Sequence, residues 1–450
     1  MGSEHGSVQV EILGGIGEIG YSMVLISTPR ARVLLDMGMR GLEEGLLRAP
    51  AAPRPEYELV DLLRTGQLRE LPGIYDPAQL AADPDLAGAE WAQPDPRPTA
   101  VVLSHAHIDH EGALGFAHPE IPVYASTDTV RVLEAMRRCG EPRLGRDPEV
   151  RPVEPGTVVT VEDLSVELIP VDHDVPGASG VLVSTPEGTL AYSGDINFHR
   201  NEGRLSEEFT RRIRGTDMLV TETTMLSWGL DERPDPRTED EVDAAIVEGL
   251  ERCDGLALLS VYHRDAERAA RMIRLAEEHG RTLIWPTQHA VFLDAMGVEG
   301  LVSWAGDRPE ADRKRLPSTV GQVSLEDVRE SPSSYLVQPD AADMPALADL
   351  PLTPGGSLWI HAQGEPLGPF MFGWELFHQW LDHLGVEAVE AGSSGHAPGR
   401  ALIEFVESAQ PGVVVPIHGF RPEALEVEVP RLLPEYGVRY GLDGRVIGGE

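Results

Sequence analysis

Ser104-His105-Ala106-His107-Ile108-Asp109-His110 follows directly on the apolar run Thr99 to Leu103. A short apolar run of this kind reads as a buried strand. The loop leaving its end can point several nitrogen and oxygen ligands at one spot. His105, His107, Asp109 and His110 are the ligand types that zinc takes, at about 2.0–2.2 Å. A solvated surface has no need of His-x-His-x-Asp-His at the end of a buried strand, so the stretch is read as a metal site.

Other candidate ligands close later strands. The run Val166 to Val171 ends at Asp172-His173-Asp174, and Thr189 to Tyr192 ends at Ser193-Gly194-Asp195. Gly194 lets the backbone turn so that the Asp195 carboxylate projects from the strand tip. Val413 to Ile417 leads into His418-Gly419, and Arg32 to Leu35 leads into Asp36-Met37-Gly38. One His or Asp at a strand end is commonly structural; the whole series in this order points to a shared centre.

The order and spacing resemble the metallo-β-lactamase superfamily. That resemblance implies one metal on His105, His107 and His173 and a second on Asp109, His110 and His418. Asp195 would bridge them, and Asp36 would support the ligands from behind. Two zinc ions, or manganese in their place, about 3.5–4 Å apart would share a zinc-bound hydroxide and stabilise both oxygens of a phosphoryl displacement. The implied chemistry is hydrolysis.

The chain continues well beyond Asp195, unlike small members of the superfamily. Leu219-Val220-Thr221-Glu222-Thr223-Thr224, Ser393-Ser394-Gly395-His396-Ala397 and Pro416-Ile417-His418-Gly419 resemble the acidic, Ser-Gly-His-Ala and Pro-x-His-Gly motifs of the β-CASP nucleases. By this resemblance Glu222, Asp109, Asp195 and His396 are the catalytic set. Ser394, Gly395 and His396 contact substrate, with His396 reaching the scissile phosphate. Leu13-Gly14-Gly15-Ile16-Gly17-Glu18-Ile19-Gly20 resembles the opening of the ribonuclease J family. A glycine-rich turn after a strand also opens nucleotide-binding folds, but Ser22 to Ile26 reads as a second strand, which favours a hairpin. The pattern from His173 to Asp195 follows the same family throughout.

Departures from that family are specific. Tyr21-Ser22 stands where Lys-Asn is usual, Phe420 where an acidic residue is usual, and Ile284-Trp285-Pro286-Thr287-Gln288-His289 in place of a Gly-Arg-Ser segment. The chain reaches Glu450 without the extra C-terminal domain of ribonuclease J, so a short form is expected.

The resemblance implies a metal-dependent ribonuclease acting on single-stranded RNA, by exonucleolytic or endonucleolytic cleavage. His418 at the last motif favours RNA over DNA. The alternatives are a hydrolase of a small phosphodiester or ester, a DNA-directed β-CASP nuclease, and a non-catalytic RNA-binding subunit. The last is disfavoured because no ligand position is missing.

Composition bounds these readings. At 450 residues the chain suits two or three units of ordinary size. No apolar window approaches the roughly 18–20 residues of a membrane span, and no basic-then-apolar leader opens the sequence, so a cytoplasmic protein with no membrane partner is expected. Cys139 and Cys253 fit buried thiols in a reducing compartment. A homodimer is an expected assembly.

The charge argues the other way. There are 37 basic and 74 acidic residues, a net of −37. Nucleic-acid binders usually carry a basic footprint, because counterion release drives their affinity. Global charge is not local field, however. The basic residues are nearly all Arg, with Lys314 the lone lysine, and Arg suits bidentate phosphate contacts.

The expected fold is α/β: a metallo-β-lactamase αββα sandwich interrupted by an inserted β-CASP αβ domain, with the active site in the cleft between them. Residues 1–225 and 393–450 form the sandwich and 226–392 the insert. Gly41 to Pro98 reads as an elaborated loop with a short helix near Tyr57 to Thr65. In the insert, Leu256 to Val261, Arg281 to Trp285 and Leu358 to His361 read as strands. Ala266 to Ala276 recur at helical spacing up to Gly280, and Trp374 to Leu384 is an amphipathic helix whose aromatic residues are core. His263-Arg264, at the carboxyl end of a strand, reads as a solvated first turn with a phosphate contact as the alternative, and Gly306 to Pro332 as a surface excursion.

Overall fold

The computed structural model describes residues 8–449 except 43–44, 231–235, 305–315, 340, 365, 370 and 372. The chain divides into two compact units. The first comprises Met1–Val130, Arg143–Asp235 and Gly395–Glu450; the second comprises Arg131–Pro142 and Pro236–Ser394.

Strands β1 (Gln9–Gly14), β2 (Met23–Ser27), β3 (Arg32–Leu35), β4 (Thr99–Val102), β5 (Val123–Ser126) and β6 (Val150–Val153) open the first unit. They are followed by β7 (Val158–Val161), β8 (Leu164–Pro170), β9 (Ser179–Thr185), β10 (Gly188–Tyr192) and β11 (Met218–Glu222). The second unit supplies β12 (Ala257–Val261), β13 (Thr282–Trp285), β14 (Val302–Trp304), β15 (Gly321–Val323), β16 (Tyr335–Val337), β17 (Leu358–Ala362) and β18 (Glu387–Glu390). The chain returns to the first unit with β19 (Val413–Ile417), β20 (Val438–Tyr440) and β21 (Val446–Gly449).

The first unit is a sandwich of two sheets, ordered β21-β20-β1-β2-β3-β4-β5-β6 and β19-β11-β10-β9-β8-β7. Val10, Ile12, Val24, Ile26, Val33 and Leu35 of one sheet share a buried core with Val166, Val183, Leu190, Val220 and Val415 of the other. β8 alternates buried and half-buried residues, as a strand with one covered face does, whereas β11 and β19 are buried throughout. On the far side of the second sheet, helices Arg204–Arg212 and Gly399–Ala409 pack Phe209, Leu402, Phe405 and Val406 against Ala191, Leu219 and Val414. This is the expected α/β metallo-β-lactamase sandwich.

Parallel pairing positions the site. β10, β11 and β19 run parallel, as do β3, β4 and β5. Their carboxyl ends therefore come out at common edges, where αβ folds gather functional groups.

The second unit is a parallel sheet ordered β15-β14-β13-β16-β12-β17-β18. Its helix Glu239–Arg252 starts at a Thr238–Glu241 capping box, and Ala266–Glu278 is capped by the Asp265 side chain. Phe377 and Leu381 of Trp374–Leu384 are buried in a core with Leu258, Ile284 and Trp359, as the amphipathic pattern requires.

Two local readings change, and a third is only partly described. His263 and Arg264 are not a solvated turn: the His263 ring stacks on His289 at 4.0 Å, and Arg264 Nη2 donates to Glu141 Oε1 at 2.8 Å. Of the stretch Gly306 to Pro332, residues up to 315, Lys314 included, lie outside the described residues; the remainder forms β15 and helix Leu325–Glu330. Gly41 to Pro98 holds the expected helix at Glu58–Arg64 and two more, Pro77–Leu80 and Pro84–Ala87, each capped by an aspartate before its proline. It also buries Leu59, Val60, Leu62, Leu71, Ile74 and Leu80, so it packs as core. Cys139 and Cys253 are buried free thiols. Among the described residues no helix is long and apolar enough to cross a membrane.

Candidate metal centre

Each ligand candidate sits at a strand end. His105, His107, Asp109 and His110 follow β4, His173 follows β8, Asp195 follows β10, and His418 directly follows β19. All seven belong to the first unit. Their donor atoms form two groups, His105-His107-His173-Asp195 and Asp109-His110-Asp195-His418, each with its donors within 4.8 Å of one another.

In the first group His107 Nδ1 lies 3.1 Å from His105 Nε2 and 3.2 Å from His173 Nε2. Asp195 Oδ2 lies 3.6 and 3.7 Å from the same two nitrogens. Four donors about 2.0–2.2 Å from a tetrahedral ion stand roughly 3.3–3.6 Å apart, so the spacing suits zinc. In the second group His110 Nε2 is 3.3 Å from Asp195 Oδ2, and His418 Nε2 is 3.1 Å from Asp109 Oδ2 and 3.4 Å from Asp195 Oδ1. Asp195 thus turns one oxygen to His105, His110 and His173 and the other to His418.

The distal nitrogens of these imidazoles are held from behind. The carboxylate of Asp36, fully buried, accepts from His110 Nδ1 at 2.7 Å, from the Ser104 amide and hydroxyl at 2.7 Å each, and from the Tyr192 hydroxyl at 2.7 Å. His105 Nδ1 lies 2.9 Å from Ser104 Oγ. His173 Nδ1 donates to the Gly395 carbonyl at 2.7 Å, and His418 Nδ1 donates to Thr224 Oγ1 at 2.7 Å. A carbonyl and a carboxylate only accept, so His173 and His110 carry their protons on the distal nitrogen and turn lone pairs inward.

Two site residues carry backbone strain. Asp36 and His418 adopt φ of 58° and 54°, a conformation costing a non-glycine residue on the order of 1–3 kcal/mol and kept where surrounding structure enforces it. The enforcing contacts are visible: the His418 amide donates to the Gly15 carbonyl at 2.7 Å, and the Ser22 amide to the Asp109 carbonyl at 2.9 Å. A Cβ on Gly20, at φ 80°, would stand 2.6 Å from Asp109 Oδ2. The glycine-rich opening is therefore a cradle for Asp109 and His418.

Electrostatics also suit a cation. Burial, with the neighbouring imidazoles, lowers His105 well below the ordinary value, and burial pulls His107 down to about 3. Both nitrogens stay unprotonated and able to ligate. Burial opposes charge on His110 as well, but Asp195, Asp109 and Asp36 outweigh it and raise the group well above normal. A proton there occupies the place a metal would take. His110 Nε2 and Asp195 Oδ1 are buried and have no hydrogen-bond partner, which a metal would satisfy. The residues present fit two divalent ions.

Glu222 and His396 stand beside the centre, grouped with His418. Glu222 ends β11 and is 1% exposed; its Oε1 is 3.2 Å from His396 Nδ1, and its Oε2 accepts from the Thr224 amide at 2.9 Å. Burial opposes charge on His396, but the Glu222, Asp195 and Asp174 carboxylates push it up to about 10. Gly395 offers its carbonyl to His173 and to Asn197 Nδ2, at 2.7 and 2.9 Å. Ser394 is the last residue of the second unit.

Ser104, Tyr192, Thr224 and Asp174 lie inside the quoted stretches, but sequence reasoning assigned them no role. Tyr21 is fully buried, with its hydroxyl accepting from the Arg69 amide at 2.6 Å. Phe420 is 52% exposed and packs its edge against Trp228.

Residues 78–284 match the Beta-lactamase superfamily domain. That match covers under half of the chain, and together with the two-sheet sandwich it agrees with a metallo-β-lactamase fold. The chain is similar to ribonuclease J: it is 25% identical to that of Pyrococcus abyssi over 354 residues, covering 75% of this chain and 71% of the relative. It is 26% identical to the ribonucleases J of Sinorhizobium meliloti over 280 residues and of Mycobacterium tuberculosis over 285, spanning 43% and 44% of those proteins. A crystal structure of a protein of unknown function from Enterococcus faecalis matches with a TM-score of 0.80 and 26% identity, over 97% of this chain and 100% of that one.

Proposed function

We propose that the chain is a metal-dependent ribonuclease whose first unit holds two divalent ions, zinc by its donor set, with manganese as the alternative. The observation carrying this reading is the sharing of Asp195 by two donor groups at ligand spacing. The ribonuclease names of the relatives support RNA as substrate. Single-stranded RNA and a cytoplasmic setting belong to the same proposal.

Two bound divalent ions supply Lewis acidity and a nucleophile at neutral pH for in-line displacement at phosphorus. The chain's own residues do the rest. Asp195 fixes the spacing of the two positions, and Asp109 is held in register by the glycine cradle. His396, kept charged by Glu222, offers a cationic donor for a non-bridging phosphate oxygen as charge develops. Glu222 acts through His396, as a positioning residue. Gly395 keeps His173 in its ligating tautomer, and His396 next to it is the substrate contact.

The test is cleavage of labelled RNAs carrying a 5′-monophosphate or a 5′-hydroxyl, with zinc, with manganese and after chelation, read at nucleotide resolution. Metal-dependent cleavage supports the reading, and the product ladder separates exonucleolytic from endonucleolytic attack. The net charge of −37 favours a second reading, a hydrolase of small phosphodiesters. Intact RNA beside rapid turnover of a small phosphodiester by the metal-loaded protein would establish it instead.

A further inference from the structure

We propose that Asp174 is the positioning residue that sets the tautomer of His107, and so holds one end of the first metal position. The inference rests on the two-metal reading above. Four of the five ligand histidines have a polar acceptor at the nitrogen turned away from the centre: Ser104 for His105, Asp36 for His110, Gly395 for His173 and Thr224 for His418. His107 differs in presenting Nδ1 inward, 3.1 and 3.2 Å from the His105 and His173 donors, so its outer nitrogen is Nε2. Among the described contacts the carboxylate nearest that nitrogen is Asp174, whose Oδ1 stands 3.5 Å away, at ion-pair rather than hydrogen-bond range. A small shift on metal binding would make Asp174 the fifth acceptor.

The surroundings are shaped for a carboxylate. Asp174 is buried, and a Cβ on Gly395 would stand 2.3 Å from its Oδ2 and 2.9 Å from its Oδ1. A side chain at 395 would push this carboxylate out of its place. The same Oδ1 lies 3.3 Å from His173 Nε2, the nitrogen turned toward the centre, so the carboxylate borders two ligands of one metal position. A carboxylate accepting the outer N–H of a ligating imidazole fixes the ring and raises its basicity, and losing such a partner typically weakens metal binding 10–100-fold.

The experiment loads the full chain with zinc and titrates it with a competing chelator, for the wild type, Asp174→Ala and Asp174→Asn, with thermal melting as the check on folding. Wild type should hold two ions. Asp174→Ala should hold one as tightly as before and release the other about 10–100-fold more readily. Asp174→Asn, whose amide oxygen still accepts from Nε2–H, should recover most of the loss. Nitrogen-15 spectra of the histidine rings give a second readout on the zinc-loaded wild type: His107 should carry its proton on Nε2. Wild-type zinc affinity at both positions in Asp174→Ala, or a His107 protonated on Nδ1, would overturn the inference while leaving the metal centre standing. Asp174→Asn as weak as Asp174→Ala would overturn it too, because charge rather than acceptance would then be the need. A wild type that binds no zinc would remove both this inference and the reading beneath it.

Discussion

Glu222 Oε1 lies 3.2 Å from His396 Nδ1, and the carboxylate is 1% exposed while the imidazole borders the metal centre. A buried carboxylate behind an imidazole keeps that imidazole cationic and fixes its direction. His396→Ala should therefore leave metal content intact and slow hydrolysis about 10²–10³-fold, the usual order for one lost transition-state donor. Metal analysis and single-turnover rates on the same preparation check this. Metal loss in His396→Ala would mean that His396 is a ligand.

The pH dependence follows from the same pair. The carboxylates raise His396 to about 10, against burial. Its charged form is present below that value and lost above it. Removing the Glu222 charge takes away the chief upward push, so in Glu222→Gln the alkaline limb of kcat/KM should move to lower pH. A limb in the same place as in wild type would show that another group governs it.

Asp195 is the residue both donor groups need. Asp195→Ala should cost both ions and activity together, whereas Asp36→Asn, which alters only the support behind His110 and Ser104, should weaken metal binding about 10–100-fold and leave the fold intact. Elemental analysis after dialysis against a weak chelator distinguishes them. Two retained ions and full turnover in Asp195→Ala would end the dinuclear assignment.

The ligands were legible in the sequence because each is a metal-binding residue type at the end of an apolar run, and parallel strands carry such ends to one edge. Of their supports only Asp36 was, as an Asp closing a strand in the same way. Ser104, Tyr192 and Thr224 act through single hydroxyls, and Gly395 acts through a backbone carbonyl that every residue possesses. Nothing local marks them. The packing of Gly41 to Pro98 was hidden for another reason: its apolar residues are spread among prolines and acids without helical or strand period, and three short helices bring them inward. Arg131–Pro142 likewise groups with the second unit although it lies far from it in sequence.

Acid stability has a local contributor at the start of β4. Hydrogen bonding to Arg97, against some burial and with Arg32 adding its charge, lowers Asp95 to about 2. Arg32 is 1% exposed and 3.3 Å from the carboxylate. A carboxylate with a depressed folded value stabilises the protein above its unfolded value, near 3.9, and loses that contribution as pH falls toward the folded one. Asp95→Asn should therefore be less stable than wild type at neutral pH, and the gap should close between about pH 5 and pH 2. Denaturant midpoints across that range test it. A gap of constant size would show that the charge is not what matters.

The substrate class turns on how a chain of net charge −37 holds a polyanion. If arginines track several phosphates of a single strand, each releases counterions, and log K should fall with log salt at a slope near −0.7 per phosphate contacted. Affinity should then rise as the RNA lengthens from two to ten nucleotides, about the range over which a groove adds contacts. A substrate engaging only the metal centre and His396 predicts the opposite: a shallow salt slope and no gain from length. Fluorescence anisotropy with metal-loaded His396→Ala, which should keep both ions and turn over slowly, measures both in one series of labelled oligonucleotides at stepped salt. A flat response in length and salt would replace the ribonuclease reading with the small-phosphodiester one, because the remaining attraction would come from the centre alone.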